Sequence, residues 1–123
     1  MNKIFNNLNY GIIGNCKSSA LIYKDSSIDW CCMPQFDSPS AFGKILDKKK
    51  GGHFKIICDK SYTINQSYYN NTCVLITNFK NSDNEFDVID FMPRYEIENS
   101  SFYSSPEIIR LLKIKKGKPK IRI

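Results

Sequence analysis

A chain of 123 residues, 41% of them apolar and 13% aromatic, can bury one real core; this excludes a disordered chain and points to a single domain. The formal charge of +6 hides a neutral body, because the 12 Lys and Arg of residues 1–112 balance 12 Asp and Glu, and the whole excess sits in Lys113, Lys115, Lys116, Lys118, Lys120 and Arg122. Such a cluster attracts nucleic acid or acidic surfaces in general. Here no aromatic is interleaved with the lysines, so a stacking platform for single strands is excluded, and a solvated face of a terminal hairpin is the favoured reading.

The five cysteines, Cys16, Cys31, Cys32, Cys58 and Cys73, are an odd set. Residues 1–8 lack the continuous apolar core of a secretory leader. No run approaches the roughly 18 apolar residues of a membrane span. These features predict a cytoplasmic protein with reduced, mostly buried thiols and no membrane contact.

Residues 10–14 and 19–24 read as strands. Asp25-Ser26-Ser27 is a turn, because Asp and Ser bond their own backbone there. Residues 28–33 form the next strand and a hairpin with 19–24. Pro34 ends it, since it cannot donate to a ladder. After a loop over 34–40, Asp37 or Ser38 is placed to cap a short helix near residues 39–46, with Pro39 in its first turn. Residues 47–52 close that helix as an exposed turn.

The remainder alternates between strands and turns. Strands are expected over 53–58, 62–69, 73–80 and 85–92, with Phe86, Val88 and Asp90 on one face of the last and Ile89 and Phe91 on the other. Pro93 ends it. Residues 94–107, rich in Ser, Glu and Tyr, read as an exposed loop. Two further strands, 107–115 and 120–123, are joined at Lys116-Gly117-Lys118-Pro119. Many short strands between turn signals indicate an all-β fold, an antiparallel β-sandwich or barrel in one domain.

Chemical motifs are sparse. The only histidine, His53, stands at a strand start without a Gly-x-Ser-x-Gly elbow or another nucleophile context. Cys31 and Cys32 are adjacent, so a strand points them to opposite faces and defeats chelation; no metal and no cofactor is expected. Glycoside hydrolysis requires two carboxyl groups, about 6.5–9.5 Å apart in inverting enzymes. Asp29, Asp37, Glu85, Asp90, Glu96, Glu98 and Glu107 are available, yet none stands in an acid/base context, so no catalytic residue is assigned. Asp37 reads as a helix cap or loop organiser. Asp29 and Asp90 read as turn or strand-end residues bonding nearby amides, since a polar residue between apolar neighbours needs a hydrogen-bond partner.

The dense aromatic–polar segment Trp30 to Ser38 is the remaining constellation. An aromatic face beside planar polar groups suits a sugar, which offers both C–H patches and hydroxyls. Equally, Trp30 and Phe36 can be core anchors. Trp30, Pro34, Gln35, Phe36, Asp37 and Ser38 are the candidates for a substrate-rim or docking site.

Gly11-Ile12-Ile13-Gly14-Asn15, Ser27-Ile28-Asp29-Trp30, Phe36-Asp37-Ser38-Pro39-Ser40, Val88-Ile89-Asp90-Phe91-Met92-Pro93 and Ile108-Ile109-Arg110 occur here in that order. Together they resemble the start of the prokaryotic glucoamylases and trehalases of glycoside hydrolase family 15. The resemblance implies a supersandwich-like antiparallel β-sandwich that precedes a catalytic (α/α)6 barrel. It implies a parent activity of inverting α-glucosidic hydrolysis, with both glutamates on the barrel and none in this chain. Residues 1–123 then form a partial N-terminal domain, with residues 121–123 resembling a strand in mid-domain.

Three departures from the family pattern are visible. Gln35 stands where arginine is common, which removes a fixed cation and its planar fork. Cys31 replaces a usual leucine. Ser26 replaces a usual glycine, at a cost if the turn needs a positive φ.

The leading expectation is therefore a non-catalytic domain that packs on the barrel, in cis or from a split gene, and shapes the rim of a sugar pocket. A free-standing carbohydrate-binding β-domain taking an α-glucoside is the alternative, and a small nucleic-acid-binding protein ranks last. Unpaired strand edges are expected to promote oligomerisation.

Overall fold

A computed structural model describes residues 9–123. Residues 1–8, read above as leaderless, lie outside the described residues. The described residues form ten strands: β1 Tyr10–Gly14, β2 Ser19–Tyr23, β3 Ile28–Cys32, β4 Ser40–Phe42, β5 Thr63–Tyr68, β6 Leu75–Lys80, β7 Glu85–Phe91, β8 Arg94–Ile97, β9 Ser101–Ser104 and β10 Ile109–Lys116. All pairings are antiparallel. One sheet has the order β1-β2-β3-β4, a second β10-β7-β6-β5, and β8 with β9 makes a separate two-stranded ribbon. Among the described residues the sheets do not close into a barrel, and the arrangement is that of a β-sandwich.

Local chemistry sets the turns. The Asn15 Oδ1 accepts from the backbone amides of Lys17 and Ser18 at 3.0 and 2.9 Å, closing the β1–β2 reversal as an Asx turn. The β2–β3 turn places Ser26 at φ 69°, the left-handed conformation that the departure from glycine makes costly.

One apolar cluster joins the two sheets, and a second packs residues 54–58 on the second sheet. Ile13, Ala20, Ile22, Ile28 and Cys31 of the first sheet meet Leu75 of the second and Met92, with Phe42, Phe54 and Ile108 against them. Ile56, Phe79, Phe86 and Val88 form the other cluster, edged by Tyr62 and Ile121. Phe79 and Phe86 stack with ring centroids 4.7 Å apart. Each fully buried side chain of this size contributes about 1.5–3 kcal/mol. On β7 the predicted faces are found: Phe86, Val88 and Asp90 are buried, while Ile89 and Phe91 are half-buried.

The expected helix near residues 39–46 does not form. Residues 40–42 are β4 instead, with Phe42 paired to Cys31 and packed on the first cluster. The amides of Gly43, Lys44 and Ile45 bond to Gly51 O, Gly52 O and Asp29 O, while those of Leu46 and Asp47 turn back to Gly43 O as a single turn. A helix this short carries the nucleation cost without length to recover it, so strand pairing and burial of Phe42 win.

Residues 53–58 and 120–123 are also not full strands. They make single bridges, Ile28 with Phe54 and Ile57 with Arg122. Segment 54–58 crosses from the first sheet to the C-terminal segment while inserting Ile56, 2% exposed, into the second cluster, so no single neighbour receives its backbone groups.

Residues 94–107 are not simply a loop. Residues 94–104 form the β8–β9 hairpin, reversed by Asn99 and Ser100, both in the left-handed region.

Candidate functional site

The candidate loop, residues 34–38, leaves β3 through a cis Met33-Pro34 peptide and folds on itself. Gln35 N donates to Ser38 Oγ and Ser38 N to Gln35 O, each at 3.1 Å. Phe36 N donates to Lys17 O at 3.0 Å, pinning the loop to the β1–β2 turn. Ser38, rather than Asp37, is thus the loop organiser, and Asp37 caps no helix.

The two segments enclose a shallow depression of about 350 Å³ lined by Cys16, Lys17, Gln35, Phe36 and Asp37. Phe36 is 55% exposed, so it is no core anchor. Among the described residues no hydrogen bond or ion pair engages the Lys17 ammonium or the Asp37 carboxylate. A flat aromatic ring, a primary amide and two opposite charges therefore face one concavity, a set able to meet both C–H surface and hydroxyl groups.

Trp30 is not part of it. On β3 it pairs with Leu21, which pairs in turn with Ile12, whereas the core side chains of β1 and β2 are Ile13, Ala20 and Ile22. Trp30 is half-buried on the outer face of the first sheet, neither core anchor nor partner of Phe36. Pro34 is exposed and Ser38 half-buried, and both shape the loop without lining the depression.

Cys16 and Lys17 are the lining residues that sequence reasoning missed. The signal was long-range: the register Ala20↔Cys31 sets the β1–β2 turn beside the segment that follows β3. That turn is firmly held. Asn15 is 1% exposed, its Nδ2 donates to Ser105 O at 2.9 Å, and its carbonyl accepts from Ser104 Oγ at 2.9 Å. Ser18 Oγ donates to Cys32 O.

Of the other candidate carboxylates, Asp29, Glu85 and Asp90 have fixed partners, whereas among the described residues nothing engages those of Glu96, Glu98 and Glu107. Asp29, 3% exposed, accepts from Tyr10 Oη at 2.9 Å and Ser27 Oγ at 2.5 Å, with Lys44 Nζ at 3.6 Å. Burial and the bond to Asp29 push the Tyr10 hydroxyl up to about 12. Asp90 is clamped by Arg110. Glu85 and Asp87 share Asn78 Nδ2 and lie beside Lys115. The bond from Asn78 holds the Glu85 carboxyl below its usual range, aided by Lys80 and Lys115. Among the described residues no group of three or more His, Cys, Asp or Glu is placed to hold a metal ion.

Part of the basic cluster is occupied too. Lys115 Nζ lies 2.8 Å from Asp87 Oδ2, and Lys116 Nζ donates to Ser82 O at 2.7 Å. This leaves fewer free cations for a phosphate backbone than the sequence suggested. All five cysteines are free; Cys31 and Cys32 are buried and Cys58 half-buried, but Cys16 and Cys73 are exposed, which corrects the expectation of mostly buried thiols.

The sequence model of the family described as Trehalase-like, N-terminal, matches residues 8–113. The chain belongs to the trehalase-like N-terminal domain family. Trehalase 2 of Sulfolobus acidocaldarius is 40% identical over 108 residues, which are 88% of this chain and 17% of that relative. A trehalase of Thermoplasma volcanium is 39% identical over 106 residues, 84% of this chain and 16% of its own length. A shorter match, 45% identical over 47 residues, links the domain to a trehalase of Mycolicibacterium smegmatis. The trehalase-like domain thus spans about a sixth of the curated archaeal relatives it matches. No solved structure matches it at the same significance. No helix among the described residues is long and apolar enough to cross a membrane.

Proposed function

We propose that this trehalase-like domain is a non-catalytic part of a glycoside hydrolase that cleaves an α-glucosidic bond with inversion. In this reading it packs on a catalytic barrel, supplied in cis or by a split gene, and its 34–38 loop forms part of the sugar-pocket rim. The observation that carries the proposal is the exposed Phe36, held out by the Phe36 N to Lys17 O bond beside Gln35 and Asp37. A lone exposed aromatic is ordinary on a protein surface; what supports the reading is that this one is held beside an amide and two unengaged charges around one depression. Gln35 lacks the arginine common in the family, and Lys17 offers a cation to the same depression from the neighbouring turn. The relatives, being trehalases, favour trehalose over longer α-glucosides, and a cytoplasmic setting suits the free thiols.

The test is a chimaera in which this chain replaces the aligned segment of the Sulfolobus trehalase 2. Trehalose hydrolysis by the chimaera, none by the 123-residue chain alone, and a raised KM in the chimaera carrying Phe36→Ala are expected. Hydrolysis by the isolated chain, or a chimaera whose kinetics ignore Phe36, would sink the reading. Self-association of the isolated chain through the free edge of β10 belongs to the same proposal, and monodisperse monomers in light scattering would contradict it.

A further inference from the structure

The β8–β9 hairpin exposes four large apolar side chains: Tyr95 at 54%, Ile97 at 47%, Phe102 at 50% and Tyr103 at 46%. Its register pairs Tyr95 with Tyr103 and Ile97 with Ser101, which puts Tyr95, Tyr103 and Ile97 on one face. The two tyrosine rings lie 5.3 Å apart. Arg94, Glu96, Phe102 and Ser104 occupy the other face, where the Arg94 guanidinium sits 4.0 Å from the Phe102 ring centroid. Both faces therefore carry an aromatic, and neither is covered by another sheet.

A two-stranded ribbon alone is marginally stable, and one with apolar groups on both faces cannot satisfy them by lying flat. It needs a cleft. The base of the ribbon is rigid: Ser104 Oγ donates to Asn15 O, and Asn15 Nδ2 donates to Ser105 O. The same Asn15 closes the turn whose Lys17 carbonyl receives Phe36 N. A short run of hydrogen bonds thus joins the base of the ribbon to the candidate rim loop.

We propose that residues 94–104 are a docking arm that inserts into an apolar cleft of the catalytic portion of the longer enzyme. The proposal rests on the reading given under the proposed function, and adds a second contact to the 34–38 loop. Two observations select this occupant over a second copy. The aligned segment is only 17% of the Sulfolobus relative, so a large remainder is at hand. Two open depressions among the described residues mix apolar groups with charges, Phe36 with Lys17 and Asp37 in one and Ile57 and Ile121 with Asp59, Lys120 and Arg122 in the other, so neither offers the wholly apolar cleft that the ribbon needs. The receiving cleft should be apolar, with hydrogen-bond acceptors near its floor for the two phenol hydroxyls.

The chimaera described above tests this with the photo-crosslinking residue p-benzoylphenylalanine at position 103 or at position 36. The expected result is an intramolecular cross-link from each position into the catalytic portion, located by mass spectrometry. The paired variant Tyr95→Ser/Tyr103→Ser, added as the free 123-residue chain to the relative lacking its aligned segment, should bind about tenfold or more weakly while its own thermal melt is unchanged. A cross-link from 36 but not from 103 overturns the arm and leaves the rim reading intact. A cross-link from 103 to a second copy also overturns the arm. No cross-link from either position overturns both. If the chimaera does not fold, the same probe at the residues of intact Sulfolobus trehalase 2 aligned with Tyr103 and Phe36 reads the same contacts.

Discussion

Arg110 closes a bidentate pair on Asp90: its Nε lies 2.7 Å from Oδ1 and its Nη2 2.9 Å from Oδ2, with the two side chains 6% and 0% exposed. The same guanidinium donates to Phe54 O at 3.2 Å and Ser26 O at 2.6 Å, and lies 4.8 Å from the Phe54 ring centroid. One side chain of β10 thus ties β7, the β2–β3 turn and the 54–58 crossing together. Burial raises the Asp90 carboxyl above its usual range despite the opposing pull of Arg110. The pair therefore adds little net stability, but breaking it is costly.

Arg110→Met leaves the buried Asp90 carboxylate and the Ser26 carbonyl without a donor, while Phe54 O keeps the Ile28 amide. A loss of about 3–5 kcal/mol in urea unfolding is expected. Arg110→Lys should recover little, because one ammonium cannot span four acceptors on three segments. Asp90→Asn combined with Arg110→Met should be less damaging than Arg110→Met alone. Equal losses in the single and double variants would show that the buried charge is not the cause.

Asp90 also illustrates what the sequence could and could not disclose. Its place between apolar residues called for a hydrogen-bond partner, expected to be a nearby amide, whereas Asp90 is fully buried and its partner is Arg110, 20 residues away, which only the register Arg110↔Asp90 reveals. Strands with alternating patterns and Pro or Asn punctuation, such as β1, β2, β6 and β7, were readable. The 94–104 hairpin was not, because Asn99 and Ser100 make its reversal without glycine and its arms mix aromatics with Ser and Glu. The 39–46 segment misled because cap residues are a local signal, whereas Phe42 answers to the core. At the candidate site Gln35, Phe36 and Asp37 were legible as a motif. Lys17 and Cys16 were not, since a turn far along the chain brings them, and Trp30 is turned away by strand alternation.

Ser26→Gly should stabilise the domain. Ser26 is fully buried at φ 69°, and among the described residues its Oγ has no hydrogen-bond partner. A left-handed conformation costs an L-residue roughly 1–2 kcal/mol, and an unsatisfied buried hydroxyl adds about 1–3 kcal/mol. Against this stand the extra chain entropy of glycine, about 0.5–1 kcal/mol, and the small void left by the side chain. A net gain of about 1 kcal/mol in denaturant unfolding is expected from these terms. A loss on substitution would mean that the void outweighs the relief.

Alkaline titration should find Tyr10 ionising late. Burial, then the hydrogen bond to Asp29 and its charge, raise the phenol from 10.0 to about 12. The folded state therefore holds a proton that the unfolded state gives up, so this contribution to stability is complete below pH 10 and declines as pH rises toward 12. Burial also raises the Tyr62 phenol, so tyrosinate absorbance should show two late-ionising tyrosines, of which Asp29→Asn brings down Tyr10 alone. If that variant leaves the titration unchanged, the Tyr10–Asp29 bond is not its source.

Thiol reactivity should fall into three classes. Cys16 and Cys73 are exposed and should react promptly with a disulfide reagent in the native protein. Burial raises the Cys58 thiol, with Asp59 adding to it, and this half-buried group should react slowly. Cys31, raised by burial against the pull of Ser18, and its buried neighbour Cys32 should react only on unfolding. Prompt native reaction of all five would contradict the packing of β3.

Phe36→Ala separates docking from folding. More than half of the side chain is in water, so the substitution should change unfolding free energy by no more than about 0.5 kcal/mol. Binding of the chain to the catalytic portion should nonetheless weaken, with Lys17→Gln producing a smaller loss at low salt that fades as salt is raised. Trp30 fluorescence is a poor reporter of the site, because the indole lies off the depression on the outer face of the first sheet. Calorimetry with trehalose and maltose is the better measurement. No saturable heat is expected from the isolated chain, because an open depression of this depth leaves most of a disaccharide solvated. Saturable binding abolished by Phe36→Ala would instead establish the free-standing carbohydrate-binding alternative.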